Sequence, residues 1–248
     1  MKKLFSVLLC SSLLLASVGF AGPNLTNDSL DKAITLLREN VHHDHALTFY
    51  CEADFSKQGE LVLPSGVTTR NHEKVRLEWG HIVPVASFGP EFSEWVQGHS
   101  QCLDNKGIVF KGIACVEKTN EAFRMMRADM YNIYPMIDAV KNFRGDYNFG
   151  LVSGVASSFG TCQMKIGGRR VEPPVISRGQ IARTYKYMAA NYPQFSMSSY
   201  RSGVMDTWDN FYPVSEWECT RAKRIEALQG NENSFVKNPC QKDGLWKN

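Results

Sequence analysis

His81 has the setting in this sequence that best suits chemistry. It shares one parity with Val75, Leu77, Trp79 and Val83, Arg76, Glu78 and Gly80 take the other, and Pro84 ends the run. That alternation is the period of a strand with one buried face. An imidazole there with a pKa near neutrality can take a proton from water and turn the water into a nucleophile. The competing reading is a hydrogen-bonded core histidine, because histidine is often partly buried. The tract His42-His43-Asp44-His45 has the composition of a metal-binding segment. Histidines near a helix C-terminus are also favoured by the helix dipole. His72 and His99 stand in polar loops and carry no functional weight.

The elements that must position these residues are short. Asn27 or Asp28 caps a helix with Leu30, Ile34 and Leu37 on one face, ending near His42. Residues 46–55 read as a strand around Cys51, and residues 59–69 as a hairpin or loop broken by Pro64 and Gly66. The clearest strand covers residues 75–83. A short helix over 88–98 precedes a loop bracketed by Cys102 and Cys115. Phe123, Met126 and Met130 give residues 119–131 a helical spacing, Pro135 follows, and residues 136–143 continue as helix or loop. The Gly- and Ser-rich stretch 149–163 reads as irregular strand. Ile181, Tyr185 and Met188 mark a helix over 178–191, and residues 213–229 read as a final helix ended by Gly230. Helices scattered among short strands, with no linker between them, indicate a single α+β domain.

Composition narrows the class. The chain is 43% hydrophobic and 21% charged, which excludes a disordered or low-complexity protein. A net charge of +3 is too mild to argue for nucleic acid by itself. Lys2 and Lys3 precede an apolar run that ends in Gly19-Phe20-Ala21, the pattern of a secretory signal peptide cut after Ala21. The run holds four serines and is short for a membrane span. Residues 22–248 are then the mature domain, expected in the periplasm or secreted, monomeric and without a membrane partner. Cleavage removes Lys2, Lys3 and Cys10, leaving a net charge of +1 and six cysteines: Cys51, Cys102, Cys115, Cys162, Cys219 and Cys240. An even count in an exported chain suggests up to three disulfides, whose connectivity the residues alone leave open.

The stretch Arg76-Leu77-Glu78-Trp79-Gly80-His81-Ile82-Val83-Pro84, with Phe88-Gly89, resembles the core motif of the endonuclease I family, exported bacterial nucleases of the ββα-metal class. The likeness recurs at Phe49-Tyr50-Cys51, at residues 128–132, at residues 179–185 and at residues 212–219, so it spans nearly the whole mature chain. The resemblance implies a mixed α/β domain that cleaves DNA, and often RNA, without sequence specificity. It makes His81 the general base and implies one Mg²⁺ at the scissile phosphate. It also implies the pairs Cys51–Cys240, Cys102–Cys115 and Cys162–Cys219. In the family a Glu immediately before the histidine and an Asn on the following helix hold the metal. Those positions fall here on Gly80 and Lys141, and a third acidic position falls on Arg127. Glycine offers no ligand atom, an ammonium cannot bind a cation, and Mg²⁺ wants oxygen ligands. Asn142, one residue along, is the remaining candidate ligand.

Two readings follow from these departures. In one, His81 stays the base and Lys141 with Arg127 supplies the charge of the missing ion, giving a metal-independent nuclease with no cofactor. Mg²⁺ is the alternative. In the other, the protein is a catalytically inactive pseudonuclease that binds nucleic acid. Asn132 matches a family site position as a fourth catalytic candidate, with a helix-end hydrogen bond as its plain alternative. Arg144, Lys111, Lys118 and Arg124 are the candidate phosphate contacts, on DNA and on RNA if both are substrates.

Overall fold

A computed structural model describes residues 20–69 and 75–246. Most of the expected signal peptide, with Cys10, and His72 lie outside the described residues. Phe20–Ala21 (β1) pairs parallel with Asn231–Glu232 late in the chain. The first helix, α1 (Leu30–Leu36), is capped by Ser29 rather than Asn27 or Asp28: the Ser29 hydroxyl accepts from Lys32 N. It runs on through a wider turn, Leu37–Val41, which buries Leu37 and Val41 beside Ala33. The strand expected over 46–55 is mostly a turn. Glu52 takes a left-handed φ of 49°, and only β2 (Asp54–Phe55) is extended, paired with β3 (Leu61–Val62).

The alternation around His81 gives β4 (Leu77–His81). Short turns and α2 (Ser93–Val96) follow, then α3 (Ile113–Thr119) and α4 (Glu121–Arg127). The helix expected over 119–131 starts where Asn120 turns extended and caps α4, its Oδ1 accepting from Phe123 N at 3.0 Å, but it ends at Arg127, and Met130–Asn132 form a separate turn capped by Asp129. The chain then forms β5 (Ile133–Ile137), directly followed by α5 (Asp138–Arg144). β5 lies antiparallel to β4, with Gly80 opposite Tyr134 and His81 opposite Ile133. Pro135, read from the sequence as a stop, sits in the middle of this strand. Bonds Ile82 N to Asn132 O and Asp138 N to Arg76 O flank the ladder. Trp79 and Pro135 are therefore a non-bonded pair, so the missing N–H costs the ladder nothing.

The rest of the chain wraps this ββα unit. A three-stranded sheet orders β6 (Asn148–Phe149), β8 (Arg170–Glu172) and β7 (Lys165–Gly167), with β8 in the middle. Next come α6 (Val175–Asn191), α7 (Ser199–Phe211) and α8 (Glu216–Gln229). After β9 (Asn231–Glu232), α9 (Ser234–Lys242) closes the fold. Gly230 ends α8 in the left-handed region, as expected, but α8 is not the last helix. The sequence reading missed α7, whose thirteen residues bury only Met205 and Trp208 and so carry a thin apolar stripe. One core joins Ile82, Val83, Phe88 and Phe123 to Met136, Val140, Phe149, Ile181, Tyr185 and Met188.

Two of the three implied disulfides are corrected. Cys102–Cys115 forms, but the other pairs are Cys51–Cys162 and Cys219–Cys240. The turn at 49–53 packs against residues 159–164, with Cys162 Sγ 3.6 Å from Tyr50 O, so Cys162 meets Cys51 rather than α8. Consecutive helices α8 and α9 face each other across the turn at Gly230, which makes the Cys219–Cys240 bridge a local one. Peptide mapping under non-reducing conditions is expected to recover these links, and a Cys51–Cys240 peptide would contradict them. Replacing Cys219 and Cys240 by alanine, 21 positions apart, should cost about 3 kcal/mol in urea unfolding.

Candidate active site

The far end of the β4–β5 ribbon is held by buried polar side chains. Asn132 is fully buried, accepts from Val83 N at 2.7 Å and donates to Val83 O at 3.1 Å. Its amide is spent on backbone, so the structure makes it a positioning residue rather than the catalytic one expected. Arg144 is corrected likewise. It is 3% exposed, donates to His81 O at 2.6 Å and Ile82 O at 2.5 Å, and lies 4.7 Å from the Phe149 ring centroid. Its guanidinium is held by main-chain carbonyls, although the residue also lines the cleft beside His81. Arg221 does the same for the second strand, donating to Met130 O and Ile133 O beneath the Tyr134 ring. Asp129, also fully buried, accepts from Tyr131 N, from Gln229, and from the Tyr187 and Tyr192 hydroxyls at 2.6 and 2.5 Å. Burial raises its pKa against those donors.

These anchors fix His81. Its Nε2 lies 2.8 Å from the Arg127 carbonyl oxygen. A carbonyl only accepts, so Nε2 carries the proton and the Nδ1 lone pair is left to act as a base. Burial pushes the His81 pKa down to about 4; the Arg127 carbonyl bond opposes the shift, and the charges of Arg127, Lys141 and Arg144 add to it. The imidazole is therefore neutral at pH 7. A cleft of about 350 Å³ opens here, lined by His81, Pro84, Val85, Lys141, Asn142 and Asp146 among others.

The other expected site residues divide into two groups. Lys141, on α5, reaches this cleft, and its ammonium is 2.5 Å from Glu78 Oε2. Arg127 ends α4 against His81 and pairs with Glu117. Asn142 lines the cleft too. Arg124 pairs with Asp28 at 2.8 Å, and Lys118 donates to Gln101 O at 2.6 Å, so both are tied to neighbouring chain. Lys111 is exposed beside Gly98. The expected basic patch is thus interleaved with acids and carbonyls rather than continuous.

The residues present do not fit the family's ion. The position before His81 has no side chain, and the cleft carries an ammonium instead. Among the described residues no three His, Cys, Asp or Glu side chains converge on one point. The histidine tract does not build a site either. His42 donates from Nδ1 to His45 O, His45 stacks on Trp217 at 3.9 Å, and Asp44 pairs with Arg224. Burial first, and Arg221 next, lower the His42 pKa to about 3.

The sequence reading missed Glu78, Asp129 and Arg221. Glu78 had a signal, a carboxylate two residues before Gly80 on the same strand face. Arg221 had none, because nothing local separates it from the neighbouring charges of α8.

An antiparallel pair of strands running into a helix, with a neutral histidine at the end of the first strand, is the framework of a ββα nuclease. The sequence profile of the endonuclease I family matches residues 28–240, and the chain belongs to that family. It is 36% identical to an extracellular deoxyribonuclease of Aeromonas hydrophila over 81% of this chain and 86% of the relative. It is 34% identical to a periplasmic deoxyribonuclease of the same organism, over 81% and 82%. It is 30% identical to endonuclease-1 of Buchnera aphidicola from Acyrthosiphon pisum, over 82% and 78%. The chain is an exported nuclease, periplasmic or extracellular. Among the described residues no helix is long and apolar enough to cross a membrane.

Between pH 6.5 and about 4 the unfolded chain binds a proton at residue 81 that the folded chain refuses, and His42 acts in the same direction down to about 3. Folding stability should therefore fall as pH drops through this window. Urea unfolding at pH 7 and pH 4.5, with the His81 ring followed by NMR, checks this. An imidazole that titrates near 6.5 would contradict it.

Proposed function

We propose that the protein is a non-specific endonuclease that hydrolyses phosphodiester bonds of DNA, with RNA as a second substrate, and that it does so without a divalent ion. The observation that carries this reading is the His81 ring, with its proton fixed on Nε2, its Nδ1 left as the base, and Lys141 lining the same cleft. Nδ1 takes a proton from water, the water oxygen bonds to phosphorus, and the bond from phosphorus to the 3′-oxygen breaks. The departing oxygen takes a proton from solvent. Lys141 and Arg127 supply positive charge where the phosphorane gathers negative charge. Both are ion-paired at rest, with Glu78 and Glu117, so the phosphate competes with a carboxylate for each. Binding runs mainly through phosphates and weakens as salt rises. The names of the relatives support DNA as substrate and export as destination. Residues 1–21 are removed on export, and the mature chain acts as a monomer.

Plasmid cleavage in excess EDTA tests the metal-free step. The rate should be undiminished, and His81→Ala should lower it by about 10²- to 10⁴-fold while DNA binding persists. Cleavage abolished by EDTA and restored by Mg²⁺ would sink the proposal. Negligible cleavage by both proteins with intact DNA binding would instead mean a pseudonuclease.

A further inference from the structure

Gly80 faces α5 from the same side of β4 as Glu78. A Cβ built on it would lie 2.9 Å from Met136 Sδ and 3.2 and 3.3 Å from Lys141 Cδ and Cε. These are closer than ordinary carbon contacts. The place a Cβ at position 80 would take is therefore occupied by the outer parts of two side chains, which would have to shift to admit one. Met136 fills it from β5, where it is fully buried and in register with Glu78. Lys141 fills it from α5, its stem crossing Gly80 and its ammonium reaching Glu78 Oε2 at 2.5 Å. Glycine at 80 lets the lysine stem lie over the strand, and Glu78 holds the far end of that stem. Arg144 donates to the His81 carbonyl, and the charges of Arg127 and Arg144 both act on the His81 ring.

We infer that Gly80, Met136 and Lys141 form an interlocked plug in place of a divalent-ion site, with Glu78 as the positioning residue of the Lys141 ammonium. The protein then takes up no Mg²⁺ or Mn²⁺ beside His81. Restoring a carboxylate at position 80 cannot by itself bring an ion back, because the space and the charge are already taken. This rests on the reading of Lys141 as the cation of the site.

The test is Mn²⁺ titration, read calorimetrically and by paramagnetic broadening of the His81 ring signals, with folding followed by circular dichroism. Wild type is expected to show no saturable binding up to millimolar ion. Gly80→Glu should show none either, and should melt at lower temperature. The triple variant Gly80→Glu, Met136→Ala, Lys141→Asn clears the space and removes the charge, and should bind one Mn²⁺ and broaden His81. Saturable binding at His81 by wild type or by Gly80→Glu would overturn the inference, as would a folded triple variant that binds nothing. Should Gly80→Glu not fold, wild type and the triple variant still decide. Acylation of Lys141, followed by mass spectrometry, should be severalfold faster in Glu78→Gln than in wild type, and an equal rate would remove Glu78 from its role. None of these readouts needs cleavage. A wild type that binds no ion and cuts no DNA would overturn the functional reading and leave this one standing, whereas one that binds the ion at His81 yet cuts equally well in excess EDTA would do the reverse.

Discussion

A ribbon of two strands cannot satisfy its own backbone, and the buried carbonyls at the far end of β4 and β5 are the constraint on which this structure turns. Arg144 closes the carbonyls of His81 and Ile82, and Arg221 those of Met130 and Ile133. Each guanidinium gives up hydration, which is expensive, and recovers it through charge-assisted bonds and an aromatic face, Phe149 for one and Tyr134 for the other. Asn132 completes the joint by bonding both sides of the Val83 peptide. These bonds hold the strand end that carries His81 in place.

That rigidity sets the chemistry. The Arg127 carbonyl fixes the tautomer of His81, and burial, with a smaller contribution from the surrounding cations, keeps the ring neutral. In the proposed reaction the same cations would draw a phosphate toward the neutral ring. Asp129 contributes at one remove. It caps the turn Met130–Asn132 and gathers two tyrosine hydroxyls and Gln229, tying α6 and α8 to the segment between Arg127 and Asn132.

The ββα scaffold of the endonuclease I family is thus complete here, while the two positions that would hold the ion have changed in a concerted way. The strand loses a side chain, the helix gains a cation, and the lysine stem occupies what the strand gave up. A missing ligand alone would leave a hole. Here Met136 and Lys141 lie where a Cβ at position 80 would be.

His81, its strand and the departures at Gly80 and Lys141 were legible in the sequence, because strand periodicity and motif order are properties of neighbouring residues. So were Gly230 at a helix end and the loop bridge Cys102–Cys115. The strand through Pro135 was not, because its ladder register, and hence the harmlessness of proline there, depends on a partner more than fifty residues away. The roles of Arg144 and Asn132 reversed for the same reason: a surface contact and a buried clamp have the same local sequence, and only burial separates them. The disulfides Cys51–Cys162 and Cys219–Cys240 depend on which segments lie side by side. The sequence by itself determined the family and singled out His81. Tertiary structure alone decided which charges are spent on backbone, which face the cleft, and that the volume beside Gly80 is already filled, because those depend on contacts between segments far apart in the chain.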